Sequence, residues 1–454
     1  MTNPIPIKKN QSVSLMPLSK DRRFGTDGIR GPVDTTMNPL FVTKLGWAAG
    51  SVLLEEGITR VLIGKDTRIS GYMLESALQA GFIASGIDVV LLGPLPTPGV
   101  SFLANSNKQA GVVITASHNL FEDNGIKFFN KDGQKFSYEL EKRIETKLSQ
   151  EIESVKSINL GKATRMNDAQ GRYIEFCKSH FKSLDLDGLS LLLDCAHGAT
   201  YSVAPKVFEE LGAKVTSIGT EPDGVNINQN CGPTNPDFIR EEIIKGDFDL
   251  GISFDGDGDR ILLVSNTGKI LDGDDLLYIL SKNLKQESGV VGTLMSNKAL
   301  ELHFDQMNID FYRADVGDKY VLQVLLEQNW ILGGEPSGHI LCLDSAQTGD
   351  AIIAALKLLN SLQDINFNVD ESVRDFIKFP QTLINLSVNN PNKIIINDKF
   401  WSEVTLIENK LGNQGRVLIR PSGTEPLIRI MVESEKEKDS EDYCNRLADL
   451  ASKL

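Results

Sequence analysis

The chain has 454 residues, which is enough for roughly three or four domains of ordinary size. Its hydrophobic content of 41% and charged content of 24% are those of a globular protein with a large core. A net charge of −14 argues against a nucleic-acid-binding protein, which would need a basic face. It does not exclude a phosphorylated substrate, because basic residues can be gathered in one cleft.

The cysteines and the N-terminal segment bear on the compartment. The five cysteines are scattered without metal-type spacing, and we interpret them as reduced thiols in a cytoplasmic protein. No apolar run approaches the ~18 residues of a membrane span. The first 20 residues are polar, lack the apolar stretch of a signal peptide, and are expected to form a loosely ordered extension.

One pattern occurs three times along the chain: an apolar strand, a helix and a second apolar strand. The predicted strands are 60–66 and 87–92, 189–194 and 213–218, and 290–296 and 309–314. The predicted helices between them are 71–85, 202–211 and 298–307. Apolar runs without alternation, separated by a helix, are typical of βαβ units whose strands are covered on both faces. The repeat predicts three related α/β domains.

The pattern changes after Phe379-Pro380. The C-terminal part is predicted to hold strands at 403–407, 415–420 and 427–432, followed by a charged helix over 438–453. This composition indicates a small α+β domain. The predicted segments are an extension at 1–20 and domains at 21–170, 171–270, 271–378 and 379–454.

A candidate nucleophile stands at the end of an apolar strand. The run 111–116 stops at Ser117, and strand ends are where open α/β sheets place their chemistry. The following His118 could carry a proton, although adjacent residues on a strand point to opposite faces. Asn124-Gly125 predicts a turn, after which a strand would return Lys127 towards the serine. A polar turn between two strands is the alternative.

A second strand leads into three aspartates at alternating positions, Asp255, Asp257 and Asp259. The intervening glycines let the backbone curl so that the carboxylates can face one point. Three hard ligands suit Mg²⁺, which leaves positions for phosphate oxygens and water, and Arg260 adds a donor fork for phosphate. The alternatives are an acidic turn and a calcium loop, whose spacing is not met because Asn266 stands at its twelfth position.

Two further polar loops could bind a sugar phosphate. Glu335, Ser337 and His339 lie in a glycine-rich loop and can hydrogen-bond sugar hydroxyls, with an incidental β-turn as the alternative. In the C-terminal part, backbone amides, hydroxyls and two guanidinium forks could form a phosphate cradle from Arg420, Ser422, Gly423, Thr424 and Arg429. A surface turn is the alternative for this second loop.

Taken in order, the four motifs resemble those of the α-D-phosphohexomutase superfamily, over nearly the whole chain from residue 23 to residue 429. The glucosamine phosphate branch is the most similar, on the segments 24–31, 314–320 and 420–426. Leu120 and Pro336 depart from the pattern, where the family has proline and this branch has glutamine. The resemblance implies three α/β domains and a TATA-box-like α+β domain, arranged in a heart shape around a central cleft.

The resemblance also implies roles for individual residues. Ser117 would carry a phosphoryl group and complete the Mg²⁺ site with the three aspartates. The residues around the transferring phosphoryl group would be Arg30, His118, Lys127 and Arg260, with Lys127 as the proton carrier. Glu335, Ser337 and His339 would read the sugar hydroxyls. The C-terminal loop would hold the phosphate that does not react.

The implied activity is the interconversion of glucosamine 6-phosphate and glucosamine 1-phosphate, through a phosphoserine enzyme and a 1,6-bisphosphate, for UDP-N-acetylglucosamine synthesis. Mg²⁺ is the expected cofactor and a small amino sugar phosphate the expected partner, without nucleic acid or membrane; a homodimer is left open. The alternatives are a phosphomannomutase/phosphoglucomutase, a phosphatase with Asp255 as its nucleophile, and a sugar-phosphate-binding protein without turnover. The phosphatase would release inorganic phosphate and would not need Ser117.

Overall fold

The protein is described from a computed structural model, which covers residues 22–25, 27–285, 288–388, 390–421 and 426–454. Within these ranges the strands form four sheets, of six, five, four and three strands. No helix of the described residues is long and apolar enough to cross a membrane. The predicted extension over 1–20 lies outside the described residues.

The first sheet contains six strands: β1 (Ile29–Pro32), β2 (Arg60–Lys65), β3 (Asp88–Pro94), β4 (Ala110–Ile114), β5 (Asp123–Phe129) and β6 (Ala163–Arg165). Their order is β1-β5-β4-β2-β3-β6. The accompanying helices are α1 (Pro39–Glu55), α2 (Ser70–Ser85), α3 (Thr97–Asn107) and α4 (Tyr138–Lys147). Val61 and Ile63 pack into one core cluster and Leu62 into another, as expected for a strand covered on both faces.

The predicted hairpin around the candidate serine is present, but the predicted turn is wrong. Strands β4 and β5 pair antiparallel, with Lys127 opposite Val113, so the chain does return Lys127 along the strand that leads to Ser117. Asn124 and Gly125 lie inside β5 rather than in a turn. A Cβ at Gly125 would lie 2.7 Å from the Thr115 carbonyl oxygen, so glycine serves a close backbone approach here.

The second sheet holds β7 (Ser190–Asp194), β8 (Lys214–Ile218), β9 (Leu250–Phe254), β10 (Ile261–Ser265) and β11 (Ile270–Leu271), in the order β11-β10-β9-β7-β8. The nearby helices are α5 (Ala169–Ser179), α6 (Ala204–Glu210) and α7 (Asp237–Lys245). Strands β9 and β10 are antiparallel neighbours, and the three aspartates lie in the short connection between them.

The third sheet has the order β13-β12-β14-β15, with β12 (Val290–Thr293), β13 (Phe311–Ala314), β14 (Leu332–Gly334) and β15 (Ile340–Cys342). Its helices are α8 (Gly273–Ser281), α9 (Lys298–Gln306), α10 (Asp318–Gln328), α11 (Ala351–Leu362) and α12 (Val369–Ser372). The loop from Glu335 to His339 joins the antiparallel strands β14 and β15. All three predicted βαβ units are therefore confirmed.

The C-terminal unit contains β16 (Gln381–Ser387), β17 (Gly415–Pro421) and β18 (Leu427–Ser434), in the order β16-β18-β17, with α13 (Pro391–Ile395), α14 (Asp398–Leu411) and α15 (Glu437–Ser452). The strand predicted at 403–407 is wrong, because these residues lie in α14. Phe400, Val404, Ile407 and Leu411 are buried at helical spacing, and the Asn397 side chain caps the helix.

The sheets are joined by apolar packing and by polar contacts. A single core cluster runs from Leu62 in the first sheet to Phe376 beyond the third, whereas the C-terminal unit has its own core. At the junction with that unit, the Arg416 guanidinium donates to both carboxylate oxygens of buried Glu433, at 2.7 and 3.0 Å. It also donates to the carbonyl oxygens of Leu294 and Ser296, which belong to the third unit.

Candidate active site

Ser117 lies just beyond β4, almost fully buried, with a left-handed backbone at φ 52°. Its N–H donates to Thr115 Oγ1 at 2.9 Å, and its Oγ donates to Asp255 Oδ2 at 2.8 Å. Because Ser117 has left the strand, it does not point away from its neighbour: Oγ is 3.2 Å from His118 Nδ1. Left-handed residues with a side chain are uncommon and cluster at functional sites.

The three aspartates form one cluster. One carboxylate oxygen from each of Asp255, Asp257 and Asp259 lies within 4.8 Å of the others. All three side chains are buried, and the Oδ1 atoms of Asp257 and Asp259 have no hydrogen-bond partner among the described residues. Burial, together with the two neighbouring carboxylates, raises the pKa of Asp255 well above its usual range. A buried cluster of three carboxylates, two of which have an oxygen without a hydrogen bond among the described residues, fits a hard dication such as Mg²⁺.

Lys127 reaches the aspartate cluster from β5. Its Nζ lies 2.8 Å from Asp257 Oδ2, 3.0 Å from Asp259 Oδ2 and 2.7 Å from Asp27 Oδ2. Burial acts to lower the pKa of Lys127, but the three carboxylates outweigh it and raise the pKa well above its usual range. Lys127 is therefore a buried ammonium ion in this arrangement.

A closed ring of alternating charges includes Asp259 of the aspartate cluster and links the first three domains. In order around the ring are Lys127, Asp27, Lys135, Asp318, His339 and Asp259. The imidazole of His339 completes it, with Nδ1 3.6 Å from Asp259 Oδ1 and Nε2 3.5 Å from Asp318 Oδ2. Burial opposes protonation, but these two carboxylates raise the pKa of His339 to about 9, so it is a cation near neutral pH.

A cavity of about 380 Å³ opens in front of this ring. Five residues predicted for the site line it: Arg30, Asp259, Arg260, Glu335 and His339. Three charged residues that the sequence did not single out line it as well: Arg23, Asp27 and Asp318. Asp27 and Asp318 lie in the segments 24–31 and 314–320, which carry part of the family resemblance. That resemblance is the sequence feature that could have identified them as site residues.

The cavity presents fixed positive donors. Within the part of the chain that the structure describes, the buried Nε of Arg260 has no hydrogen-bond partner, and an Nη of Arg30 lies 3.6 Å from Asp27 Oδ2. Burial, followed by the fields of Arg260 and Arg30, lowers the pKa of His118 to about 4. His118 is thus neutral near pH 7, and an anion in the cavity would meet guanidinium groups rather than an imidazolium ion beside Ser117.

The remaining predicted residues are placed differently. Glu335 accepts a hydrogen bond from the Gly317 N–H at 3.0 Å, at the cavity wall, whereas Ser337 is exposed and lies outside the cavity lining. Arg420 and Arg429 are direct cross-strand neighbours on β17 and β18, also outside that lining. Ser422, Gly423 and Thr424 lie outside the described residues.

Comparison with protein families matches every unit of the chain to one family. The matches are described as phosphoglucomutase/phosphomannomutase alpha/beta/alpha domain I at residues 21–154, domain II at 171–268, domain III at 272–379 and the C-terminal domain at 383–450. These matches agree with three α/β domains followed by a different C-terminal domain. The finer boundaries given above stay predictions.

Individual relatives agree with the family match. A phosphoglucosamine mutase of Legionella pneumophila (strain Corby) is 51% identical over 448 residues, which covers 96% of this chain and 98% of the relative. A solved phosphoglucomutase/phosphomannomutase family protein from Burkholderia thailandensis is 23% identical with a TM-score of 0.80, covering 94% and 97% of the two chains. Aspergillus fumigatus N-acetylphosphoglucosamine mutase, solved in complex with GlcNAc-6P and magnesium, is 17% identical with a TM-score of 0.66 and 95% coverage of both chains.

Proposed function

Since the chain belongs to the phosphoglucomutase/phosphomannomutase family, we propose that it is a phosphoglucosamine mutase, acting in the cytoplasm on the route to UDP-N-acetylglucosamine. It interconverts glucosamine 6-phosphate and glucosamine 1-phosphate. Near-full-length identity of 51% to a protein of that name supports this substrate. One structural observation carries the chemistry: the buried Ser117 Oγ is held against a carboxylate cluster from another domain, next to a cavity lined with arginines.

In the proposed reaction, Ser117 carries a phosphoryl group before the sugar binds. The 1-hydroxyl oxygen of glucosamine 6-phosphate attacks that phosphorus, the bond to Ser117 Oγ breaks, and a 1,6-bisphosphate forms. The intermediate turns around, and its 6-phosphoryl group returns to Ser117, which leaves glucosamine 1-phosphate. The guanidinium groups of Arg30 and Arg260 stabilise the charge on the transferring group, and the free Nε of Arg260 is a donor available for it.

We propose that Asp255, Asp257 and Asp259 hold Mg²⁺, with an oxygen on Ser117 as a further ligand. When bound, the ion supplies Lewis-acid neutralisation of the transferring phosphoryl group. The partnerless oxygens of Asp257 and Asp259 support this assignment, and so does the magnesium in the related Aspergillus complex. The assignment also bears on Lys127, because a dication shared by these aspartates would weaken the field that raises the pKa of Lys127. Only in its neutral form would Lys127 accept the proton of the attacking hydroxyl, which is the role as proton carrier that we assign to it.

The sugar and its second phosphate are assigned to the other two motifs. Glu335 and His339, on the cavity wall, would bind the sugar hydroxyls, and exposed Ser337 would act at the rim. Arg420, Ser422, Gly423, Thr424 and Arg429 would hold the phosphate that does not react. The opposed guanidinium groups of Arg420 and Arg429 support this proposal, because like charges directly opposite each other destabilise a sheet unless an anion lies between them.

The phosphatase alternative fits the geometry less well. A nucleophilic Asp255 would need a free oxygen, but its Oδ2 accepts from Ser117, and its Oδ1 accepts from the N–H groups of Asp259 and Arg260. The phosphomannomutase/phosphoglucomutase alternative differs from the proposed function only in the preferred sugar.

A homodimer stays a prediction.

The experiment is a comparison of turnover on glucosamine 6-phosphate, glucose 6-phosphate and mannose 6-phosphate, with a trace of the bisphosphate as primer. We expect glucosamine 6-phosphate to give the highest kcat/KM, and Ser117→Ala to abolish the mutase reaction. Ser85→Ala is the matched control, since Ser85 is equally buried but donates only to the Phe82 carbonyl oxygen. Release of inorganic phosphate by the Ser117→Ala variant at the native rate would overturn the proposal.

A further inference from the structure

The backbone carbonyl groups of the serine loop are held by two buried side chains that the sequence did not single out. The carbonyl oxygen of Ser117 accepts from Arg68 Nη2 at 3.0 Å and from Asn228 Nδ2 at 2.8 Å. The carbonyl oxygen of Asn119 accepts from the same two atoms, each at 2.8 Å. Arg68 belongs to the first domain and Asn228 to the second, so side chains from two domains hydrogen-bond to the loop.

Every donor of the Arg68 guanidinium is used here. Its Nε donates to Asp66 Oδ2 at 2.9 Å, and its Nη1 donates to the carbonyl oxygens of Leu120 and Asp123. A guanidinium has five N–H donors, and four of them meet carbonyl groups within the loop 117–123. The side chain is fully buried. Its contact with the Leu120 carbonyl oxygen fixes the loop at that residue.

These hydrogen bonds matter because Ser117 has a backbone conformation that is unfavourable for an isolated serine. A left-handed φ of 52° costs free energy for a residue with a Cβ, and it persists only when the surroundings determine it. Thr115 Oγ1 accepts from the Ser117 N–H. Gly256, in the aspartate loop, leaves room for the Ser117 carbonyl oxygen, because a Cβ at Gly256 would lie 2.6 Å from it.

We propose that Arg68 is a positioning residue for phosphoryl transfer, which with Asn228 holds Ser117 left-handed so that Oγ faces the aspartates. The inference rests on the proposed function. Among the described residues, the hydrogen bonds of the Arg68 side chain go to the carboxylate of Asp66 and to loop carbonyl groups, so it acts through Ser117 and not on the sugar. A loosened loop misplaces the reacting oxygen, and a displacement of about 1 Å can lower a rate by ~10²-fold. The rate of phosphoryl transfer should therefore fall while sugar binding is retained.

Arg68→Lys is the informative variant, because lysine keeps the charge beside Asp66 but offers only three donors from one atom. We expect kcat on glucosamine 6-phosphate to fall by about ten- to a hundredfold, with KM within about twofold of native. Asn228→Asp removes both donated bonds at nearly the same shape, and it should lower kcat in the same direction. The phosphorus resonance of phospho-Ser117 should shift in both variants.

Tyr173→Phe is the matched control, because it loses a buried hydroxyl that hydrogen-bonds Asp350, far from the loop in sequence. It should lower the melting temperature without changing kcat or the phosphorus resonance. Native kcat in Arg68→Lys, or in Asn228→Asp if the lysine variant does not fold, would overturn the proposal. An equal loss of kcat in Tyr173→Phe would also overturn it, because Arg68 would then act through stability alone.

The same variants distinguish failure of this inference from failure of the proposed function. Uptake of phosphate by Ser117 from glucose 1,6-bisphosphate can be followed by intact mass, and this readout does not need the glucosamine substrate. Slow uptake in Arg68→Lys, in a protein whose native form does not turn over glucosamine 6-phosphate, would leave the positioning role standing and overturn only the substrate. Native uptake in Arg68→Lys would overturn the positioning role whatever the substrate is.

Discussion

Replacing Arg429 with glutamine should stabilise the substrate-free protein and weaken its hold on substrate at the same time. Arg420 and Arg429 face each other directly across β17 and β18, so their Cβ atoms are about 4.5–5.5 Å apart on one face of the sheet. Like charges in this arrangement repel by ~0.2–1 kcal/mol, and removal of one charge should return that amount to the free energy of unfolding. With a phosphate bound between the two guanidinium groups, removal of one of them should instead lower the free energy of unfolding.

The effect on binding is larger than the effect on stability. A charge-assisted hydrogen-bonded contact to phosphate is worth ~1.5–3 kcal/mol net. At about 1.4 kcal/mol per factor of ten, its loss should raise KM for glucosamine 6-phosphate about tenfold to a hundredfold. Turnover should fall less, unless the misheld phosphate also misplaces the reacting hydroxyl. Arg429→Lys should rescue binding only in part, because it keeps the charge and loses the fork.

The assay combines steady-state kinetics with thermal unfolding, with and without glucosamine 6-phosphate, for Arg420→Gln and Arg429→Gln. Arg446→Gln is the matched control in the same domain, because Arg446 in α15 pairs with Glu403 in α14 and carried none of the predicted phosphate contacts. The control should leave KM unchanged. If both Arg420→Gln and Arg429→Gln keep the native KM, the C-terminal loop is an ordinary surface turn and the phosphate is held elsewhere.

Three further outcomes are expected. Ser117→Ala should lower mutase turnover by several orders of magnitude with native folding, since it removes the oxygen proposed to carry the phosphoryl group; initial rates and circular dichroism check this. Exhaustive chelation should abolish activity, and Mg²⁺ should restore it best, because Asp255, Asp257 and Asp259 offer three hard ligands; initial rates across divalent ions test the preference. Glu433→Ala should destabilise the protein by ~3–5 kcal/mol in denaturant unfolding, because it leaves Arg416 without its buried partner.

Each of these outcomes has a result that would contradict it. A Ser117→Ala variant that turns over at a near-native rate without added bisphosphate would remove the serine from the reaction. Full activity after chelation would show that metal binding by Asp255, Asp257 and Asp259 is not needed for the reaction. A Glu433→Ala variant with native unfolding would mean that Arg416 finds solvent or another partner at the domain junction.

The elements that periodicity determines were predictable from the sequence. The three βαβ units follow from apolar strands separated by helices, and the structure gives their bounds within a few residues. Residues 403–407 form a short apolar run, and a run of this length is typical of a strand as well as of part of a helix. The helical spacing from Phe400 to Leu411 becomes visible only over the longer window.

The site was predictable where one segment carries the chemistry and less so where distant segments meet. Ser117 and the three aspartates stand directly after strands, so their motifs could be recognised one at a time. The left-handed backbone of Ser117 has no local signal, since serine gives none of the conformational freedom that marks glycine. Arg68 acquires its role from a contact with Asn119, 51 residues away in the same domain, and Lys135 from a contact with Asp318 in the third domain. No spacing along the chain reveals these contacts.

The most direct test of the proposed reaction follows one phosphoryl group. Protein labelled with radioactive phosphate on Ser117 is mixed with an equimolar amount of glucosamine 6-phosphate, and the products of a single turnover are separated. The account predicts that the label leaves Ser117 and appears at the 1-position of the sugar, in the 1,6-bisphosphate and in glucosamine 1-phosphate. Label that stays on the protein, or that is released as inorganic phosphate at the rate of turnover, would contradict it.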